Sequence, residues 1–398
     1  MFHNMKLKGG LMYLSKSAKE IKASEIRKMF NKSLKYFDVI NFTLGEPDFT
    51  ASKNIVEAGC KAIIEGYTKY SENAGIYPLR KAISLNLQKE YGSFYDPEKE
   101  ITVTTGAMGA LYLALKSILD PGDEVIICEP FWTNYLQQVK MCGGIPILVT
   151  CKEENDFMLD IRDLRKSLTE KTKVIILNSP NNPTGSVLNQ ETLNGIAQIA
   201  RERDLIVLSD EVYKGILYDG EEYHSIVSSE NMRERTVIIN SFSKEYAMTG
   251  WRVGYAAGPE EIIGSITKLQ ENVAACAAMP CQYAALEALQ GSSDYKQYMV
   301  KQYKQRRDVI VERINKIPGM SCRKPKGTFY AFINIEELGM KSEEFANRLL
   351  ESKQVVVVPG TAFGDSGEGY IRISYATSLE VIEKGLNRIE EFVRELIA

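Results

Sequence analysis

Seven short apolar runs, at about 101–105, 125–128, 145–149, 174–178, 205–209, 236–240 and 253–257, recur along the chain and are mostly separated by helical segments. That alternation constrains the fold more than any other feature. It argues for an α/β chain with a largely parallel sheet of seven strands and helices on both faces. With 398 residues the chain exceeds the size at which one core stops growing, so a large and a smaller domain are expected. The pattern changes after about residue 280: a long helical run from Gln282 to about Ile317 precedes two strands, Thr328–Ile333 and Val355–Val358. We therefore expect an N-terminal arm with part of the small domain at 1–45, a large domain at 46–290 and a small α+β domain at 291–398. Ser24 to Phe37 reads as an amphipathic helix with Ile26, Phe30, Leu34 and Phe37 near one face. Residues 1 to about 11 read as a start-site extension or a loose arm.

Composition excludes several classes of function. A net charge of −3 gives no electrostatic case for nucleic acid or a membrane surface. No apolar run of 18 residues occurs, and the lysine-containing N-terminus lacks the apolar core of a secretory signal. Seven scattered cysteines without a C-x-x-C pair read as reduced residues of a cytoplasmic chain. Two histidines, His3 and His224, cannot build a metal cluster, so no metal is expected and base chemistry falls to another residue type.

Four segments carry that chemistry. Ser241-Phe242-Ser243-Lys244 follows the β-branched run Thr236–Ile239, and Gly250-Trp251-Arg252-Val253-Gly254 trails it. A lysine between hydroxyls and a guanidinium suits a phosphorylated aldehyde held as a Schiff base, with the hydroxyls and the arginine gripping the phosphate. Val174–Leu177 breaks into the turn Asn178-Ser179-Pro180-Asn181-Asn182-Pro183-Thr184-Gly185, where the Asn182 amide can donate to a phenolate oxygen. Leu205–Leu208 ends in Ser209-Asp210-Glu211-Val212-Tyr213; Asp210 there can hold a pyridine nitrogen protonated, and Tyr213 can reach the same phenolate. Ile101–Thr105 runs through Gly106-Ala107-Met108 into a helical pattern, and free N–H groups at a helix start bind phosphate. Singly these are a solvated loop lysine, a turn, a capping acid and a generic strand-to-helix turn.

Together they resemble the class I/II pyridoxal-phosphate-dependent aminotransferases of the fold-type I superfamily, the aspartate aminotransferase-like enzymes. The likeness begins at Phe42-Thr43-Leu44-Gly45-Glu46-Pro47-Asp48-Phe49 and ends with Pro359–Gly364 and Tyr370-Ile371-Arg372-Ile373-Ser374. It implies pyridoxal 5'-phosphate as cofactor, linked to Lys244, which also moves the proton between substrate and cofactor. It implies Asp210 on the pyridinium and Asn182 and Tyr213 on the phenolate. Trp132 would stack on the ring. Arg252, Ser241, Ser243 and the backbone at Gly106, Ala107 and Met108 would hold the phosphate. Arg372 would take the substrate carboxylate, with Gly45 and Asn182 beside it, because a guanidinium offers two parallel donors to two oxygens. Tyr70 resembles a tyrosine that reaches into a neighbouring subunit's phosphate site, which implies a homodimer with shared active sites.

The substrates implied are an amino acid and a 2-oxo acid. Some aspartate-specific relatives carry a lysine where this chain has Met108, so a broad or neutral/aromatic donor range is expected, with 2-oxoglutarate as acceptor and with Phe363 and Tyr77 lining the same pocket. Strict aspartate specificity stays open as an alternative. So does a C–S β-lyase, since one scaffold can run either reaction. A cofactor-binding sensor of a transcription regulator is the non-enzymatic alternative, against which the intact Lys244 speaks.

Overall fold

The structure, a computed structural model, describes residues 13–398. The expectation for residues 1 to about 11 lies outside that span, as does His3. A short strand near the N-terminus, β1 (Ile40–Asn41), precedes the main sheet. The main sheet contains β2 (Ile101–Thr104), β3 (Glu124–Glu129), β4 (Ile145–Thr150), β5 (Thr172–Asn178), β6 (Ile206–Asp210), β7 (Thr236–Ser241) and β8 (Gly254–Ala257). These seven strands are the seven apolar runs of the sequence. Their order is β2-β8-β7-β6-β5-β3-β4, parallel throughout except for β8, which is antiparallel to both neighbours.

Successive residues on these strands feed different cores. Ile126, Ile175 and Val207 pack with Leu193 and Ile196 of the helix Gln190–Glu202. Their neighbours Ile127, Ile176 and Leu208 pack instead with Leu111 and Leu115 of the helix Gly106–Ile118. Side chains alternate across a strand, so a sheet covered on both faces needs runs that are apolar at every position. Burial of each such side chain contributes about 1.5–3 kcal/mol.

Beyond the main sheet, β9 (Ser321–Cys322), β10 (Tyr330–Asn334), β11 (Val355–Val356), β12 (Val358–Pro359) and β13 (Tyr370–Ser374) complete the strands among the described residues. Four of them form an antiparallel sheet in the order β12-β13-β10-β9. β1 pairs in parallel with β11, so the N-terminal segment folds back beside the C-terminal part. The polypeptide leaving β1 is then tied to the end of β13, where Ser374 donates its amide to the Phe42 carbonyl at 2.9 Å.

Two local expectations are corrected. The helical run from Gln282 is broken: one helix, Met279–Gln290, stops at Gly291, and a second, Asp294–Ile314, begins after Ser293. The N-terminal helix spans Glu25–Ser33 and buries Met29 and Ser33, whereas Leu34 and Phe37 are exposed. Its inward stripe is therefore rotated from the one chosen by aromatic and aliphatic spacing. Among the described residues no helix is long and apolar enough to cross a membrane. All seven cysteines are free.

Candidate active site

Parallel strands deliver their C-terminal residues to one edge of the sheet, where open α/β sheets place ligands. Asn178 ends β5, Asp210 ends β6 and Ser241 ends β7, with Asn178 and Asp210 directly paired in register. Because β8 runs the opposite way, its first residue, Gly254, lies between Thr104 of β2 and Ser241 of β7 at the same edge. That reversal carries Arg252, two residues upstream, to the mouth of the helix beginning at Gly106.

A cavity of about 270 Å³ occupies this edge. Gly45, Ala107, Met108, Trp132, Asn182, Asp210, Tyr213, Ser241, Ser243, Lys244, Arg252 and Arg372 all line it. Gly106 supports it from behind with a φ of +75°, and a Cβ there would stand 2.7 Å from Arg252 Nη2. Tyr70 is not in the lining; its side chain is 86% exposed elsewhere on the chain. Tyr77 and Phe363 do not line the cavity either. Tyr77 is partly exposed near the start of its helix, and Phe363 lies fully buried behind Arg372.

Lys244 extends its amine to the Gly45 carbonyl at 2.5 Å. Its pKa is lowered to about 8, mainly because burial penalises the ammonium form, with Arg252 and Arg372 adding repulsion. Asp210 accepts from the Tyr135 hydroxyl at 2.5 Å and from the Val212 amide at 3.3 Å. Burial lifts this carboxyl from 3.8 to about 6, against the opposing pull of those two hydrogen bonds. A cation placed beside Asp210 would draw that value back down, so the position is suited to a pyridinium partner.

Arg372 is 1% exposed. It donates from Nη1 to Asn182 Oδ1 at 3.1 Å and from Nη2 to the Thr43 carbonyl at 2.6 Å, while Nε has no partner. Its guanidinium lies 4.4 Å from the Tyr330 ring centroid and 4.9 Å from that of Phe363. Among the described residues, none of Lys244, Arg252 and Arg372 has a carboxylate within 4 Å. Three cations against the one carboxylate of the lining, Asp210, leave this small cavity net positive, which calls for an anionic occupant.

The group expected from the sequence fits that demand. Its phosphate would find a cradle in the first N–H groups of the helix Gly106–Ile118, which has no side-chain N-cap and no acid in its first turn. Arg252, Ser241 and Ser243 border the same cavity, and Asp210 would face its ring nitrogen. Trp132 lines the wall edge-on to Tyr135, with ring centroids 5.3 Å apart.

Several residues of the site carried no chemical signal in the sequence. Tyr135 follows Trp132 by three residues at the start of the helix Asn134–Met141, a helical spacing that could have suggested it. Asn178 joins the Asn182 turn to β6, accepting from the Asn182 amide at 2.9 Å and donating to the Asp210 carbonyl at 3.2 Å. Thr43 lay inside the segment where the resemblance begins, and Tyr330 inside a run read as a strand. Ile26, from the N-terminal helix, also reaches the cavity.

Fold and site together define an α/β protein with a cationic cavity suited to an anionic cofactor beside a lysine. The family described as "Aminotransferase class I and II" matches residues 38–389, and the chain belongs to that family. It is thus a pyridoxal-phosphate-dependent aminotransferase, and the C–S lyase alternative gives way. Similar proteins include an aspartate aminotransferase of Pyrococcus abyssi, 44% identical over 94% of this chain and 97% of the relative. An aromatic-amino-acid aminotransferase of Thermococcus litoralis is 40% identical over 96% of this chain and 99% of the relative. The solved structure of Thermus thermophilus aspartate aminotransferase with maleate superposes with a TM-score of 0.91 at 36% identity, covering 96% of this chain and all of that one.

Proposed function

We propose that the chain transfers the amino group of a neutral or aromatic L-amino acid, over a broad range, to a 2-oxo acid such as 2-oxoglutarate. One observation carries this reading. Lys244, Arg252 and Arg372 are the cationic residues of the cavity lining, and Ile26, Ala107, Met108, Trp132 and Val212 supply apolar surface around them. With Arg252 assigned to the phosphate and Arg372 to the α-carboxylate, no cation of this chain's lining remains for a side-chain carboxylate as short as that of aspartate; the second carboxylate of 2-oxoglutarate, one methylene further out, would be met beyond this lining, by the partner subunit. The Thermococcus litoralis relative, named for aromatic amino acids, supports it. Strict aspartate use is the second reading, favoured by the name of the Pyrococcus abyssi relative. Specificity constants for phenylalanine, leucine, alanine and aspartate with 2-oxoglutarate decide between them. We expect aspartate to fall at least about tenfold below the best neutral donor, the scale on which an unmatched buried charge discriminates; an aspartate preference of that size would replace the proposal.

When bound, the cofactor supplies an aldehyde for Lys244 and a pyridinium that accepts the electrons released when the substrate's Cα–H bond breaks. Asp210 would accept from the pyridinium N–H and keep it protonated, and Asn182 and Tyr213 would donate to the ring oxygen. Arg372 fixes the substrate by its carboxylate, so that Cα presents one face to Lys244. Lys244 Nζ would take the proton from the substrate's Cα and return it to the cofactor's aldehyde carbon, two bonds along. Its low pKa keeps a neutral amine available near pH 8.

The active unit is a homodimer in which Tyr70 of each chain completes the phosphate site of the other. Support comes from its exposure and from the exposed apolar residues in the segment just before it, Ile63, Ile64 and Tyr67. Mass and specific activity followed together through dilution test this: activity is expected to fall as the dimer dissociates, and a fully active monomer would overturn it.

A further inference from the structure

We propose that Tyr330, on the first residue of β10, is a positioning residue that aims both the Tyr213 hydroxyl and the Arg372 guanidinium; the inference rests on the roles assigned to those two residues above. Tyr330 is 1% exposed and lines the cavity. Its hydroxyl lies 2.8 Å from that of Tyr213, and the geometry allows either to donate. Tyr213 has a single hydroxyl proton. If Tyr213 spent it on Tyr330, nothing would remain for a ring oxygen in the cavity. With Tyr330 as donor, the Tyr213 proton is released toward the cavity, and the chained bond polarises it for donation.

The other end of the argument is Arg372. A buried guanidinium without a carboxylate is held by its hydrogen bonds and by the faces of aromatic rings. The Tyr330 ring is the nearer of its two aromatic neighbours, at 4.4 Å from the guanidinium carbon. Tyr330 is itself confined. Its ring meets Tyr213 edge-on at 5.8 Å, and a Cβ on Gly45 would overlap its hydroxyl. Gly45 also supplies the carbonyl that Lys244 touches. One side chain thus abuts the strap 42–49, the ring-oxygen donor and the carboxylate clamp. The pairing is long-range, 117 residues in sequence between Tyr213 and Tyr330.

Two substitutions separate the two roles. Tyr330→Phe keeps the ring under Arg372 and removes only the hydroxyl. In the pyridoxal-phosphate-loaded enzyme without substrate, the pH midpoint of the visible absorption reports the proton on Lys244 Nζ. Weaker donation to the ring oxygen leaves more negative charge there, so the proton is held to higher pH. We expect the Tyr330→Phe midpoint to rise by roughly 0.5–1 pH unit, the scale of one neutral hydrogen bond. Affinity for 3-phenylpropionate, a carboxylate without an amine, should stay within about twofold of the unsubstituted enzyme. Tyr330→Leu should show the same midpoint rise and also weaken 3-phenylpropionate by roughly fivefold or more. The other charged groups facing Tyr213 and Lys244 are Asp210, Arg252, Arg372 and Glu46, and neither substitution alters them.

Tyr213→Phe and Arg372→Leu serve as controls. If Tyr213→Phe leaves the midpoint unmoved or Arg372→Leu leaves 3-phenylpropionate affinity unmoved, the underlying roles fail. If both controls respond while the Tyr330 variants match the unsubstituted enzyme, Tyr330 merely fills space and the inference is overturned.

Discussion

Lys244→Ala is expected to lower transamination by at least about 10⁴-fold, because one group both links the cofactor and moves the proton. The fold should survive it, since the amine's close hydrogen bond is to a backbone carbonyl and not to a carboxylate. A second signature lies in the stability of the cofactor-free protein. Lys244 titrates near about 8 in the folded chain and near 10.5 when free. Below pH 8 both states carry the proton, and the folded state bears the full cost of the half-buried charge. Between pH 8 and 10.5 the unfolded state binds more protons, so this contribution to stability rises with pH. Allowing for partial exposure, the gain is about 1–3 kcal/mol. Urea unfolding at pH 7 and pH 9.5 should show that gain in the unsubstituted chain and not in Lys244→Ala. Equal pH responses in the two proteins would mean that the amine is not held in a depressed state.

Arg372→Leu should separate function from stability. Loss of a desolvated, two-point bond to a carboxylate is expected to reduce kcat/KM by roughly 10²- to 10³-fold, mostly through KM. Stability should hold or rise by about 1 kcal/mol, because the substitution removes a buried cation that has no ion-pair partner and whose Nε is unsatisfied. Leucine can still pack between Tyr330 and Phe363. The measurement pairs steady-state kinetics with unfolding of the cofactor-free chain. A variant that loses several kcal/mol yet keeps its KM would make Arg372 a structural residue.

The main sheet was legible because strands buried on both faces must be apolar at each position, and β-branched runs of that kind stand out from helical segments. Helical faces were less so. In Ser24–Phe37 the sequence offers several apolar positions, and which stripe turns inward depends on what packs against it; Met29 won over Leu34 and Phe37. The break at Gly291 is a local signal passed over because apolar spacing resumes beyond it.

Within the cavity the same division holds. Lys244, Asp210, Asn182, Arg252 and Arg372 are marked by local context, since a strand end or a turn with unusual polar residues leaves a short pattern in the chain. Sequence alone determined which chemical groups stand at those positions and that sheet strands would carry several of them to one edge. Only the tertiary structure decided their partners: Tyr135 against Asp210 across 75 residues, Tyr330 against Tyr213 across 117, and two aromatic faces around Arg372. Such contacts are fixed by strand register and by how β10 and β13 pack against the main sheet's edge, and no local pattern encodes a distance between segments so far apart.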